Sequence, residues 1–243
     1  MTKLTKRKTI GLIAVVLVLS LAILCGVYIG DYYRMTESTA AALASDEDVT
    51  VRYDHRQTVF LPDDPKAGFI FYPGGKVEYT AYALLLRELA EEDILCVVMK
   101  MPGNLAVLAP NAADGISEQY PEIENWYIGG HSLGGSMAAS YPADHVGEFE
   151  GLILLGSYST ADLSDTALEV LSVYGSEDQV LNREKYEENR ANLPVGFAEH
   201  VIEGGCHAYF GMYGAQDGDG MPEISNEKQI EITVNAITKW IKE

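Results

Sequence analysis

The chain has 243 residues, 47% hydrophobic and 22% charged, a composition ordinary for one medium globular domain with an appendage. Its formal net charge is −19 at pH 7, and its three cysteines form no C-x-x-C pair. Such an acidic body repels nucleic acid and anionic lipid, which excludes a phosphate-tracking role, and the cysteines supply neither a disulfide framework nor a metal-ligand spacing.

The chain opens on four cations, Lys3, Lys6, Arg7 and Lys8, followed by 21 uncharged residues, 10–30. About 20 apolar residues cross a bilayer as a helix, and a positive flank stays on the cytoplasmic side. A cleaved signal peptide has a shorter apolar region, about 7 to 15 residues. The nearest small-residue site, Ala42-Leu43-Ala44, also lies well past the run. The expected organisation is a cytoplasmic basic segment at 1–9, a transmembrane signal-anchor helix at 10–30, a polar stalk at 31–48 and an extracytoplasmic domain at 49–243. With the first four cations set apart, 13 basic side chains face 36 acidic ones, a formal −23 on that body.

From residue 49 strand and helix patterns alternate. Strands are expected at 49–53, 56–61, 68–72, 94–99, 125–129, 151–156, 169–174 and 197–202, most of them aliphatic runs suited to burial on both faces. Helices are expected at 78–91, 111–120, 133–141, 182–191 and 226–242. In the last, Ile230, Val234, Ile237 and Ile241 fall on one stripe. The alternation predicts an α/β fold, a mostly parallel central sheet of about eight strands flanked by helices. Catalytic residues in such sheets sit at the carboxyl ends of strands.

Four strand exits carry chemistry. After 68–72 comes Pro73-Gly74-Gly75-Lys76, whose glycines let backbone approach a bound carbonyl; the Gly75 N–H is the expected oxyanion donor there. After 125–129 comes Gly130-His131-Ser132-Leu133-Gly134, which fits G-x-S-x-G. This pattern lifts a serine clear of the sheet on a sharp strand-to-helix turn, with the Leu133 N–H as the second oxyanion donor at a helix N-terminus. After 169–174 comes Gly175-Ser176-Glu177-Asp178, where two carboxylates compete; Asp178 is favoured because Gly175 lets the loop turn back. After 197–202 comes Glu203-Gly204-Gly205-Cys206-His207. His207 on this loop is the expected base, while His200 inside the strand is expected to be structural. Cys206 beside His207 is a poor nucleophile candidate, because sequence neighbours rarely face each other.

Only about a dozen residues, 157–168, separate two of the strands, too few for a lid over the site. Tyr72, Tyr79, Tyr158, Tyr209 and Tyr213 are available to its rim. Asp217-Gly218-Asp219-Gly220 hints at a cation loop but lacks the glutamate that calcium loops use, and is expected to be a solvated turn.

These segments together resemble the α/β-hydrolase superfamily. In particular they resemble the compact bacterial α/β-hydrolase fold-5 group related to dienelactone hydrolases. The likeness rests on Phe71-Tyr72-Pro73-Gly74-Gly75, Gly129 to Gly135, Tyr174 to Asp178 and Gly204 to Ala208. It implies Ser132 as nucleophile, Asp178 as acid and His207 as base. Dienelactone hydrolases use a cysteine nucleophile, so serine here speaks against their specific activity. The expected activity is a membrane-anchored serine hydrolase of small or accessible acyl esters, with no cofactor, no metal and no nucleic-acid partner. The rivals are an acyltransferase or peptidase on cell-envelope material and a non-catalytic binding protein on the same fold. The sequence leaves the oligomeric state open.

Overall fold

Twenty-one consecutive residues without a charge have no reason to leave the helical state, and α1 runs through them from Lys3 to Gly30. The computed structural model describes residues 3–145 and 147–242, the side chains of residues 3–9 excepted. It divides into two compact units, Met1–Tyr32 and Tyr33–Glu243. Within the first, Ile10–Gly30 is long and apolar enough to cross a membrane.

The second unit is built on eight strands: β1 (Val49–Tyr53), β2 (Gln57–Pro62), β3 (Ala67–Tyr72), β4 (Ile94–Met99), β5 (Trp126–His131), β6 (Gly151–Leu155), β7 (Glu169–Gly175) and β8 (Ala198–Ile202). They lie in the order β1-β2-β4-β3-β5-β6-β7-β8. β1, β2 and β4 pair antiparallel, and all later pairs are parallel. Strands β3, β4, β5 and β6 are buried along their whole length, as their apolar runs require, with the imidazole of His131 at the end of β5.

Helices cover both faces. On one, α2 (Ala83–Ala90) and α5 (Asn226–Lys242) pack Leu85, Leu86, Ile230 and Ile237 against Phe69, Phe71 and Val173. On the other, α3 (Leu133–Asp144) packs Ala138 and Ala139 against Ile70, Ile128 and Leu154. Burying each large apolar side chain contributes about 1.5–3 kcal/mol. α4 (Arg183–Asn189) follows β7, with Asn182 capping it through the Lys185 N–H at 2.9 Å.

Three expectations need correction. Residues 111–120 form no α-helix. Their turns close through i to i−3 bonds, Gly115 takes φ +70°, and the Ala113 N–H is diverted to Tyr72 Oη at 2.8 Å. The helix expected at 78–91 starts as a 3₁₀ turn, Tyr79–Tyr82, before α2. Residues 33–48 do not stand off as a stalk. Tyr33 bridges Val77, Thr39 and Ala42 are buried, and the buried Arg87 of α2 holds the Ala44 carbonyl at 2.6 Å and the Asp46 carboxylate. The alanines that looked like spacer are packing surface.

Candidate active site

β5 ends at His131 and α3 begins at Leu133, so one residue makes the whole turn. Ser132 does so at φ 53°, ψ −126°, a region that costs a non-glycine residue about 1–3 kcal/mol. Its neighbours hold it there. The Ser132 N–H donates to the Leu155 carbonyl at 2.9 Å, and its carbonyl accepts from Ser157 Oγ at 2.8 Å and the Ser136 N–H at 3.1 Å. A Cβ at Gly130 or Gly134 would lie 2.3 or 2.2 Å from the Tyr72 carbonyl oxygen. The two motif glycines are therefore demanded chiefly by the exit of β3, which runs beneath the turn.

The loops that follow β7 and β8 meet beside it. His207 Nδ1 lies 2.8 Å from Asp178 Oδ2, with both side chains buried. Asp178 Oδ1 accepts the N–H groups of Leu181 at 2.8 Å and Val180 at 3.0 Å, which fixes the carboxylate plane. Glu177 Oε1 instead accepts from Ser176 Oγ at 3.1 Å. Of the two competing acids, the fold brings Asp178 to the imidazole. His207 Nε2 is buried with no hydrogen-bond partner among the described residues. His207 lines the same cavity as Ser132, a space of about 250 Å³ also lined by Gly156, Tyr158, Leu181 and Asn182. No hydrogen bond joins Ser132 Oγ to His207 in this geometry, and such contacts commonly tighten only around a substrate.

A strained serine between glycines, a buried histidine–carboxylate pair and an eight-stranded, mostly parallel sheet now stand together. Residues 68–231, from the start of β3 into α5, match the model of the alpha/beta hydrolase family. The chain belongs to the alpha/beta hydrolase family. Solved structures similar to this alpha/beta hydrolase include a thermostable esterase from Pseudomonas putida (14% identity, TM-score 0.57, 83% of this chain and 84% of that one). Est1E from Butyrivibrio proteoclasticus is similar at 13% identity and TM-score 0.57 over 81% of this chain and all of its own. Carboxyl esterase 2 from the fungus Tuber melanosporum is similar at 13% identity and TM-score 0.59, over 80% and 88%. At such identities they speak for the fold. No curated protein sequence matches the chain.

The remaining candidates in this alpha/beta hydrolase sort by environment. Leu133 is the first residue of α3, so its N–H has no acceptor within the helix. Gly75 sits against it, a Cβ there falling 3.0 Å from Leu133 Cδ2. Gly74 is committed elsewhere, its N–H donating to Tyr82 Oη at 3.0 Å. Burial pushes the Cys206 thiol up to about 12, with the nearby Asp219 charge adding to it, so it stays protonated and inert. His200 lies on edge strand β8, away from the cavity. Of the five rim tyrosines only Tyr158 lines it.

Two residues escaped the sequence reading. Asp219, expected in a solvated turn, accepts the backbone N–H groups of Ala208 at 2.8 Å, His207 at 3.2 Å and Gln179 at 3.4 Å. It ties the loop of His207 to the loop of Asp178. Gln229, fully buried on α5, exchanges two hydrogen bonds with the Cys206 backbone, at 2.9 and 2.7 Å. A glutamine on the apolar face beside Ile230 was the available signal.

His131, between Gly130 and Ser132, is buried with its ring centroid 4.5 Å from that of His207. Tyr82 Oη accepts the Gly74 N–H and shares a hydrogen bond of 2.8 Å with His131 Nδ1. Burial first, and His207 second, hold the His131 imidazole well below its ordinary 6.5. The folded chain therefore refuses a proton that the unfolded chain accepts below pH 6.5. Stability is complete above that pH and falls beneath it by about 1.4 kcal/mol per pH unit until the folded-state pKa is reached. Urea unfolding of His131→Gln should lack this component between pH 7 and pH 5. Equal pH slopes in the two proteins would refute the assignment.

Proposed function

We propose that this alpha/beta hydrolase is a serine carboxylesterase of small or accessible acyl esters, held at a membrane by Ile10–Gly30 with its hydrolase unit outside the cytoplasm. Family membership supports hydrolysis as the reaction class. The observation that carries the finer reading is one cavity shared by the strained Ser132 and a His207 whose other nitrogen is bonded to Asp178.

In this reading His207 Nε2 takes the Ser132 proton as Oγ attacks the ester carbonyl. Asp178 accepts from Nδ1–H throughout, which fixes the tautomer and stabilises the imidazolium without taking the proton. The N–H groups of Leu133 and Gly75 receive the oxyanion, each contributing about 3 kcal/mol. The imidazolium protonates the departing alcohol, and water activated by the same His207 then releases the acid. The decisive experiment is a fluorophosphonate probe on the purified chain, with the adduct mapped by mass spectrometry to Ser132. Added alcohols or amines that capture the acyl group in place of water would instead make it a transferase. The uncharged run Ile10–Gly30 and the four cations before it support the orientation.

Asp219 acts here as a positioning residue. An asparagine would turn an amide NH₂ toward one of the N–H groups the carboxylate accepts. Asp219→Asn should lower kcat by about tenfold or more while KM stays within about twofold. A change confined to KM would remove Asp219 from this role.

A further inference from the structure

Beyond the oxyanion loop, on the side away from His207, lies a second cavity of about 570 Å³. Its floor is apolar and buried, made by Met99, Met101 and Ala112, and its rim carries Arg56 and Lys100. Among the described residues no aspartate or glutamate lines it, in a chain with 36 acidic side chains against 17 basic ones. Lys66, Arg87, Lys185, Arg190, Lys228 and Lys242 all form ion pairs with carboxylates. Arg56 and Lys100 form none among the described residues. Asp54, in the same turn as Arg56, accepts the N–H groups of Arg56 and Gln57. The Lys100 N–H donates to the Arg56 carbonyl at 2.7 Å, which ties the two residues together through their backbones, and Lys100 Nζ lies 5.8 Å over the Tyr79 ring. Two cations without ion-pair partners among the residues around an apolar floor suit an anion on an apolar stem.

The cavity walls are bonded to the machinery already described. The Lys76 N–H, next to Gly75, donates to the Asn104 carbonyl at 2.8 Å, and Tyr72 Oη at the end of β3 donates to the Pro110 carbonyl at 2.9 Å. Strand order then gives direction. Ser132 follows β5, Gly75 follows β3 and Lys100 follows β4, three neighbours in the order β5-β3-β4. Two strand spacings, on the order of 10 Å, separate the strand exits that carry Ser132 and Lys100. His207 lies on the opposite side, past β6 and β7. Because His207 must protonate the departing alcohol, the alcohol leaves on that side and the acyl chain runs the other way, across Gly75 toward β4.

Resting on the serine-esterase reading, we propose that this second cavity receives the far end of the acyl group and that this end is a carboxylate, which makes the substrates half-esters of dicarboxylic acids. The test measures kcat/KM of the full chain in detergent on mono-p-nitrophenyl succinate, adipate and suberate beside p-nitrophenyl butyrate and hexanoate. The wild type should favour at least one half-ester about tenfold over the neutral esters, and added salt should erode that preference. The pair Arg56→Glu and Lys100→Glu should cut half-ester turnover about a hundredfold, mainly through KM, and leave the neutral esters within about twofold. Neutral-ester turnover reports folding, and the single alanine variants at both exposed positions serve if the double variant misfolds. A wild type that prefers neutral esters at every length, or charge reversal that affects both classes alike, overturns the proposal while leaving the esterase standing. Competitive inhibition by inorganic phosphate but not by adipate overturns the carboxylate. Absence of all ester turnover and of any probe adduct on Ser132 overturns the esterase reading and this proposal with it.

Discussion

Ser132→Ala is expected to lower kcat on p-nitrophenyl acetate by about 10⁴-fold or more and to abolish fluorophosphonate labelling. The size follows from the covalent route. In the proposed mechanism no acyl-enzyme forms without Oγ, and only the donors around the oxyanion and the binding surfaces remain to help water attack. The turn itself should survive. Its backbone is held through the Ser132 N–H and carbonyl by Leu155, Ser157 and Ser136, none of which touches Oγ. A thermal midpoint close to that of the wild type would show that chemistry, not folding, was lost. A purified Ser132→Ala protein that retains turnover would place the nucleophile elsewhere.

Asp178→Asn is the second large effect, a fall in kcat of about a hundredfold or more. Asp178 Oδ2 accepts from His207 Nδ1, while Oδ1 is occupied by the Val180 and Leu181 N–H groups. Those two donors require an acceptor, so an asparagine would keep its oxygen there and turn its NH₂ toward the imidazole. His207 would then present Nδ1 as acceptor and carry its proton on Nε2, the nitrogen that has to be free to receive one from Ser132. The defect belongs to kcat, with KM little changed. Glu177→Gln is the control, since Glu177 is engaged with Ser176 and should stay within about twofold of wild type. A loss confined to Glu177→Gln would exchange the two roles.

The contrast between these adjacent carboxylates shows where sequence reasoning reached its end. Both follow β7 on one short loop, and the preference for Asp178 rested on Gly175. What separates them is the 3.2 Å bond from the Asp178 N–H to the Gly175 carbonyl and the paired N–H groups of residues 180 and 181, contacts that exist only once the loop has closed. Asp219 shows the same limit more strongly. In sequence it is one acidic residue among glycines, 41 positions past Asp178. In the fold its carboxylate bridges the His207 and Asp178 loops, and a Cβ on the following Gly220 would lie 1.8 Å from the Glu177 carbonyl oxygen. The alanine-rich 33–48 segment was misread for a related reason, because alanine tracts look alike in a tether and in a close-packed layer.

Local chemistry sufficed for the strands, the elbow and the order of the candidate residues. Aliphatic runs have to be buried, glycines are the residues that admit the close backbone approach at 130 and 134, and a 21-residue uncharged run fits a bilayer, so each of these is written in consecutive residues. The pairing of Asp178 with His207, the bracket of Asp219 and Gln229 around the His207 loop, and the unpaired cations over a second cavity were decided by the tertiary structure. Each joins side chains from separate strands or loops, and only the crossovers of the sheet set the distances between them.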